Sequence, residues 1–222
     1  MALPMIPMAL PVDDDDNGGQ FITQHVVDIH VRGKALSVVY TNDPVSVESS
    51  IQTMEQFLAE DKYQVVGFDL EYTMGRVGHD QKVVIAQLCV RHDVLVYHYH
   101  LATRPCECFS KFINSSDYMD TTNDLKALKV SGLKCPNLVN IQHHYKVWGS
   151  DNNKLNSLVD LDSAIIDPYY TKMKEESRKD KNAWHSVWHE ILDEEHVKYV
   201  TKDTYTSCEM YTRIVDMRNC LL

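Results

Sequence analysis

Two acids stand where acids are costly. Asp69 and Glu71 close the run Val65-Val66-Gly67-Phe68-Asp69-Leu70-Glu71, which is otherwise apolar and reads as a strand. Burying a carboxylate is unfavourable unless it is paired or bound to a cation. Strand side chains alternate faces, so Asp69 and Glu71 project side by side. Like charges that close repel, and a divalent cation would cancel the repulsion and serve as the missing partner. The plain alternative is a strand end where both acids are hydrated.

Two later segments carry residues of the same chemistry. Tyr118-Met119-Asp120-Thr121-Thr122-Asn123-Asp124-Leu125-Lys126-Ala127-Leu128 reads as a short strand running into a helix, with Asp124 at the helix start. A carboxylate there also serves as an ordinary cap or complements the helix dipole. Tyr199 and Asp203 lie four apart on a long terminal helix and share a face. A core tyrosine beside an exposed aspartate is the structural alternative. Tyr72 follows Glu71 on the opposite face and is a candidate to stack on a terminal base. Its alternative is a core or rim tyrosine.

These residues need elements to hold them. Val26 to Val31, the turn Arg32-Gly33-Lys34 and Leu36 to Tyr40 suggest a hairpin with a basic tip. Asp43-Pro44 ends it, and apolar residues at Val45, Ile51, Met54, Phe57 and Leu58 give a helical period over 45–61. The strand carrying Asp69 follows, then strands over 82–90 and 94–99. Helices are expected over 106–114, 124–131, 138–148, 157–167, 183–193 and 194–218. This order implies an α/β fold, a mixed sheet packed by helices. The hairpin at 21–40 is a candidate contact surface or a sheet edge covered within the monomer.

The chain has 222 residues, 44 % hydrophobic and 24 % charged, which suits one folded domain and excludes a wholly disordered or collagen-like chain. Residues 1–19 read as a disordered tail before a single domain over 20–222: prolines interrupt its apolar run, and Asp13 to Asp16 precede Gly18-Gly19. It lacks the charged start and unbroken apolar run of a secretory signal. No stretch is long and apolar enough for a membrane helix. The net charge of −10 makes a broad, sequence-blind duplex clamp unlike this chain, whereas a small site for one strand end stays open. The six cysteines match no paired zinc pattern; Cys106 and Cys108 form only a C-x-C, consistent with reduced thiols inside a cell. His98, His100, His143, His144, His185, His189 and His196 include ligand-like spacings but have no cysteine partners nearby. Arg178, Lys179 and Lys181 could steer a strand, or form a solvated charged loop.

Together the three acidic segments resemble the DEDD-type 3′–5′ exonucleases, in the tyrosine subclass that includes the Werner-syndrome exonuclease domain. The first motif of that family is D-x-E after an apolar strand, here FDLEY. The second is read in NDLKAL and the third, Y-x-x-x-D, in YVTKDTY. The resemblance runs from Val65 to Arg213, and VVIAQL, SLVDL and WHEIL look like parts of the same family. The chain departs from the pattern in a polar strand before the second motif, and in Val200, Thr201 and Thr204 where the family has alanines.

The resemblance implies a ribonuclease-H-like exonuclease fold with a mixed central sheet flanked by helices. It implies two divalent cations, Mg²⁺ or Mn²⁺, held about 4 Å apart by Asp69, Glu71, Asp124 and Asp203. In that reading Asp69 bridges the ions, Glu71 and Asp203 complete one shell, and Asp124 helps hold the second ion through water. Tyr199 orients the attacking water. The expected reaction releases nucleoside 5′-monophosphates from the 3′ end of single-stranded RNA or DNA, with small stand-alone relatives tilting the expectation toward RNA. An intracellular enzyme of nucleus or cytoplasm, able to form a homo-oligomer and without a membrane partner, completes the expectation. The competing reading is a catalytically weak or inactive interaction module on the same fold.

Overall fold

A computed structural model describes residues 21–26, 28–73, 81–115, 117–119, 122–136, 138–139, 141, 158–177 and 187–220. Among them a seven-stranded mixed sheet runs β1 (Thr23–Val26), β4 (Ser37–Thr41), β7 (Asp93–Tyr97), β6 (Val83–Val90), β5 (Val65–Tyr72), β8 (Asp117–Met119) and β9 (Leu138–Val139). β5 lies antiparallel to β6 on one side and parallel to β8 on the other. A separate ribbon pairs β2 (His30–Val31) with β3 (Lys34–Ala35). The helices are α1 (Pro44–Glu60), α2 (Glu107–Ser115), α3 (Thr122–Val130), α4 (Leu158–Ile165), α5 (Tyr169–Ser177) and α6 (Glu194–Asn219). The mixed α/β architecture expected from the sequence is present.

Local chemistry explains the elements nearest the site. Asp43 caps α1: its carboxylate accepts from the Val45 and Ser46 N–H groups at 3.1 Å each, and Pro44 opens the first turn. Val47, Ile51, Met54 and Leu58 form the buried face of α1. Every residue of β6 is buried, so that strand reads apolar throughout. The core divides on the two faces of the sheet. One cluster joins Val66, Phe68 and Leu70 of β5 to Val47, Ile51 and Met54 of α1, Phe109 and Phe112 of α2, and Ala127 and Leu128 of α3. The other joins Val84, Ile85 and Cys89 of β6 to Val197, Val200, Tyr205, Cys208 and Met210 of α6.

Four expectations change. The N-terminal hairpin is not one ribbon: Asp28 has φ 63°, which breaks the strand, and β1 pairs with β4 while only β2 and β3 flank the Arg32-Gly33 turn. Both turn residues have positive φ, as a tight two-residue hairpin requires. β4 is covered by β7, so the covered-edge alternative describes that strand. The helix expected over 138–148 begins as strand β9, because Leu138 and Val139 find a parallel partner in β8; residues 142–150 lie outside the described residues. Residues 187–193 are a turn and extended chain, not helix: the Leu192 N–H donates to the Tyr40 hydroxyl (3.0 Å) and so leaves the helical pattern. α5 was not anticipated, although Asp167-Pro168 repeats the Asp-Pro start of α1 and Asp167 accepts from the Tyr169 N–H at 2.8 Å. The tail expected over 1–19 lies outside the described residues.

Candidate active site at the end of strand β5

The alternation of β5 sorts its residues. Val66, Phe68 and Leu70 enter the cluster shared with α1 and α2. Gly67, Asp69 and Glu71 therefore face the other way, toward α6. The strand is buried from Val65 to Phe68, and exposure begins at Asp69 and Glu71, both half-buried. The acids sit where the strand emerges.

Gly67 sets the approach of the helix. A β-carbon there would lie 2.6 Å from the Thr204 carbonyl oxygen and 2.8 Å from the Cys208 β-carbon. No other residue type leaves room for that contact. The helix runs back along the strand: the Tyr63 hydroxyl, just before β5, donates to Asp216 at 2.6 Å, and Gly67 meets Thr204 and Cys208. One further turn back along α6 brings Tyr199 and Asp203 to Asp69 and Glu71.

Electrostatics records that meeting. Tyr199 is half-buried, and burial pushes its phenol well above the ordinary tyrosine range. The negative charges of Asp203, Glu71 and Asp69 and a hydrogen bond to Asp203 push it the same way, so the phenol stays protonated. The first and third acidic segments of the sequence thus converge on one hydroxyl. Asp69 also accepts its own neighbour's N–H, from Leu70, at 2.9 Å. A neighbour supports the floor: Gln87 pairs with Asp69 across β5–β6, is fully buried, and its Oε1 accepts from the Thr204 hydroxyl at 3.5 Å.

The second segment is placed by its backbone. β8 ends beside Gly67 in parallel register, and α3 starts three residues later with Asp124 in its first turn. The start of α3 therefore lies at the same end of the sheet as Asp69 and Glu71. The Asp124 side chain lies outside the described residues. Tyr72 follows a register shift after Glu71 and packs against the cluster behind the sheet, on the face away from Asp69.

The donor set suits hard cations. Asp69, Glu71 and Asp203 offer only carboxylate oxygens, the ligands that Mg²⁺ and Mn²⁺ take. Among the described residues no three His, Cys, Asp or Glu side chains stand close enough together to hold a metal ion by themselves. The histidines have other partners. His98 is buried and bonded to the Tyr40 hydroxyl (2.8 Å), and His196 lies 2.7 Å from Asp193. His143, His144, His185, Arg178, Lys179 and Lys181 lie outside the described residues. The cysteines are free thiols. Among the described residues no helix is long and apolar enough to cross a membrane.

Sequence reasoning gave no role to three residues here: Gly67, Gln87 and Trp188, whose ring lies stacked on Tyr199. A glycine inside an apolar strand and the stretches VVIAQL and WHEIL, which hold Gln87 and Trp188, were the available signals.

The chain matches no protein-family model and no curated protein. Solved structures do match. The EXO domain of Nibbler from Aedes aegypti superposes with TM-score 0.56 at 13 % identity, over 82 % of this chain and 88 % of that one. RNase D of Trypanosoma brucei, solved with GMP, gives 0.57 at 14 % identity over 80 % of this chain and 57 % of that one. The fold is that of the ribonuclease-H-like exonucleases. The catalytic core of RRP6 from Trypanosoma brucei agrees, with TM-score 0.55 at 14 % identity over 82 % and 47 %. The chain spans about half the length of the RRP6 and RNase D structures. At these identities the likeness establishes fold, and chemistry rests on the residues.

Proposed function

We propose that this chain is a metal-dependent 3′–5′ exonuclease of the tyrosine DEDD subclass, folded as a single domain over 20–222. It releases nucleoside 5′-monophosphates from single-stranded RNA or DNA ends, with RNA slightly favoured. The observation that carries the reading is the meeting of Tyr199 with Asp203, Glu71 and Asp69 at the open end of β5. The solved complexes of RNase D with GMP and with the RNA U12 support a nucleotide product and an RNA substrate on this fold.

In this reading Asp69, Glu71 and Asp203 hold divalent cations with Asp124. When bound, two such ions neutralise the scissile phosphate and the departing 3′ oxygen and acidify a water. The protein's own part is positional. The carboxylates would hold the cations at the end of the strand, and the cations rather than the acids would bind the phosphate. Burial and the neighbouring acids hold the Tyr199 phenol protonated, and it donates to Asp203. Its oxygen accepts a hydrogen bond from the attacking water and aims it at phosphorus. Gln87 and Thr204 meet beneath the acids, where strand and helix pack.

A non-catalytic interaction module is the second reading, kept by the polar strand SSDYMDTT before the second motif. One experiment separates them: matched RNA and DNA oligonucleotides, labelled at the 5′ end, incubated with Mg²⁺ or Mn²⁺. The exonuclease reading expects mononucleotides and a ladder of shortened strands, lost with chelator. Intact strands with both ions would reject it.

A further inference from the structure

The helix fixes where Tyr199 starts but not the plane of its ring, because the torsion next to an aromatic ring is broad. Trp188 supplies that constraint. It is 3 % exposed, its ring is stacked on Tyr199 (centroids 6.3 Å apart, planes at 27°), and its edge meets His196 (5.4 Å, 90°). Trp188 belongs to the turn before α6, so its contact with Tyr199 is not made by the helix itself.

That turn is fastened on each side. The Glu190 N–H donates to the Val187 carbonyl (2.8 Å), and the Leu192 N–H donates to the Tyr40 hydroxyl (3.0 Å). Tyr40 lies on β4, is itself buried, and bonds His98 Nδ1 at 2.8 Å. The Trp188 backbone lies against the same His98 ring. Behind Trp188, His196 is fixed through Asp193, which accepts from the His196 N–H (2.9 Å) and faces its Nδ1 (2.7 Å). A continuous set of contacts thus runs from the sheet to the phenol.

We propose that Trp188 is a positioning residue for Tyr199: stacked against the phenol from an anchored turn, it fixes the ring plane so that the hydroxyl meets Asp203 and the attacking water. The proposal rests on the exonuclease reading for its consequence in turnover, while the positioning itself can be read without turnover. Trp188→Leu keeps apolar bulk and loses the stacking face, whereas Trp188→Phe keeps a face.

The test is a kinetic cycle with a spectroscopic arm, on the full chain. Trp188→Leu is expected to lower kcat about tenfold with KM within about twofold, and Trp188→Phe to stay within about threefold of the parent. With Tyr199→Phe already present, Trp188→Leu is expected to cost less than about twofold more, because it acts through a hydroxyl that is gone. Losses that multiply in the double variant, or equal losses from Phe and Leu in folded proteins, overturn the proposal. The second arm labels the tyrosines with 3-fluorotyrosine and assigns Tyr199 by the resonance missing in Tyr199→Phe. That line is expected to shift or broaden in Trp188→Leu and hold in Trp188→Phe; an unchanged line in Trp188→Leu overturns the proposal. If the parent protein releases no mononucleotide, the exonuclease reading fails alone and the fluorine arm still decides. Should Trp188→Leu not fold, Trp188→Met carries both arms.

Discussion

The two ends of β5 and α6 handle charge in opposite ways. At the start of the strand, opposite charges meet. Arg91 lies 2.8 Å from Asp61 and 3.3 Å from Glu60, donates to the Phe57 carbonyl and lies over the Phe57 ring. Arg32 and Lys34 converge on Glu209 at 2.9 and 3.3 Å, where the Tyr170 hydroxyl also bonds. These residues surround a cleft of about 440 Å³ lined by Lys34, Asp61, Tyr63, Arg91, Glu209 and Asp216. At the far end of the strand, like charges meet: Asp69, Glu71 and Asp203 gather around one phenol. The first end ties helix ends and hairpin to the sheet. The second concentrates negative charge in a way that suits cations from solution. That cleft lies at the charge-paired end, so a cleft is no guide to the chemistry here; the sign pattern is.

The comparison breaks most visibly if the acids are removed. Asp69→Ala with Glu71→Ala is expected to cut mononucleotide release at least about a thousandfold. The same change relieves repulsion between like charges, so without metal the thermal midpoint is expected to hold or rise. Adding Mn²⁺ should raise the parent's midpoint and leave the variant's where it was, as binding to the folded state demands. A variant still stabilised by Mn²⁺ would place the ions elsewhere.

Gly67 joins the two ends, so Gly67→Ala comes next in size. The added β-carbon would press on a backbone oxygen at 2.6 Å, which cannot rotate away. Helix and strand must part, at a cost of about 3 kcal/mol. Urea unfolding is expected to show that loss. Turnover should fall even at temperatures where the variant is fully folded, because Tyr199 and Asp203 move away from Asp69 and Glu71.

Much of this architecture could be read from the chain, and the failures have a common cause. Asp43-Pro44 and the period from Val45 to Leu58 dictate α1 locally, and the apolar run up to Asp69 dictates β5. What local pattern could not give was pairing. Leu138-Val139 becomes a strand because β8 is beside it, and Trp188 and Leu192 are buried in a turn because Tyr40 holds the Leu192 N–H. The candidate site divides the same way. Residue types and spacing raised Asp69, Glu71, Tyr199 and Asp203 as candidates and the family resemblance joined them, but the glycine that lets the helix approach acts through a contact between distant segments.

Acid should act first at the end that carries Asp69 and Glu71. Burial pulls His98 down to about 3 from an ordinary value near 6.5, with His100 pushing the same way, so the folded ring is neutral. In the unfolded chain it takes a proton as pH falls below about 6.5. The unfolded state then binds more protons than the folded one between those two values. Stability from this group is therefore complete above pH 6.5 and declines as pH falls toward 3, by about 1.4 kcal/mol per pH unit within that window. Urea midpoints measured from pH 7 to pH 4 should show this slope, and His98→Gln should flatten it. An unchanged slope would mean that other groups set the acid sensitivity.

The charge-paired end should answer to salt, and with little effect on chemistry. Arg91 adopts φ 56°, a conformation usual for glycine or asparagine in a tight hairpin turn. Its side chain accounts for an arginine there: it binds the last turn of α1 through the Phe57 carbonyl, Glu60 and Asp61. Arg91→Ala removes those contacts, whereas Arg91→Gly also relaxes the backbone. The glycine variant is expected to unfold at a higher urea midpoint than the alanine variant. The deficit of both against the parent should shrink in 1 M salt, where ion pairs are screened over about 3 Å. Mononucleotide release by both should stay within about twofold of the parent, since α1 meets the sheet on the face away from Asp69. A loss as large as that of Gly67→Ala would show that the two ends are coupled through the strand between them.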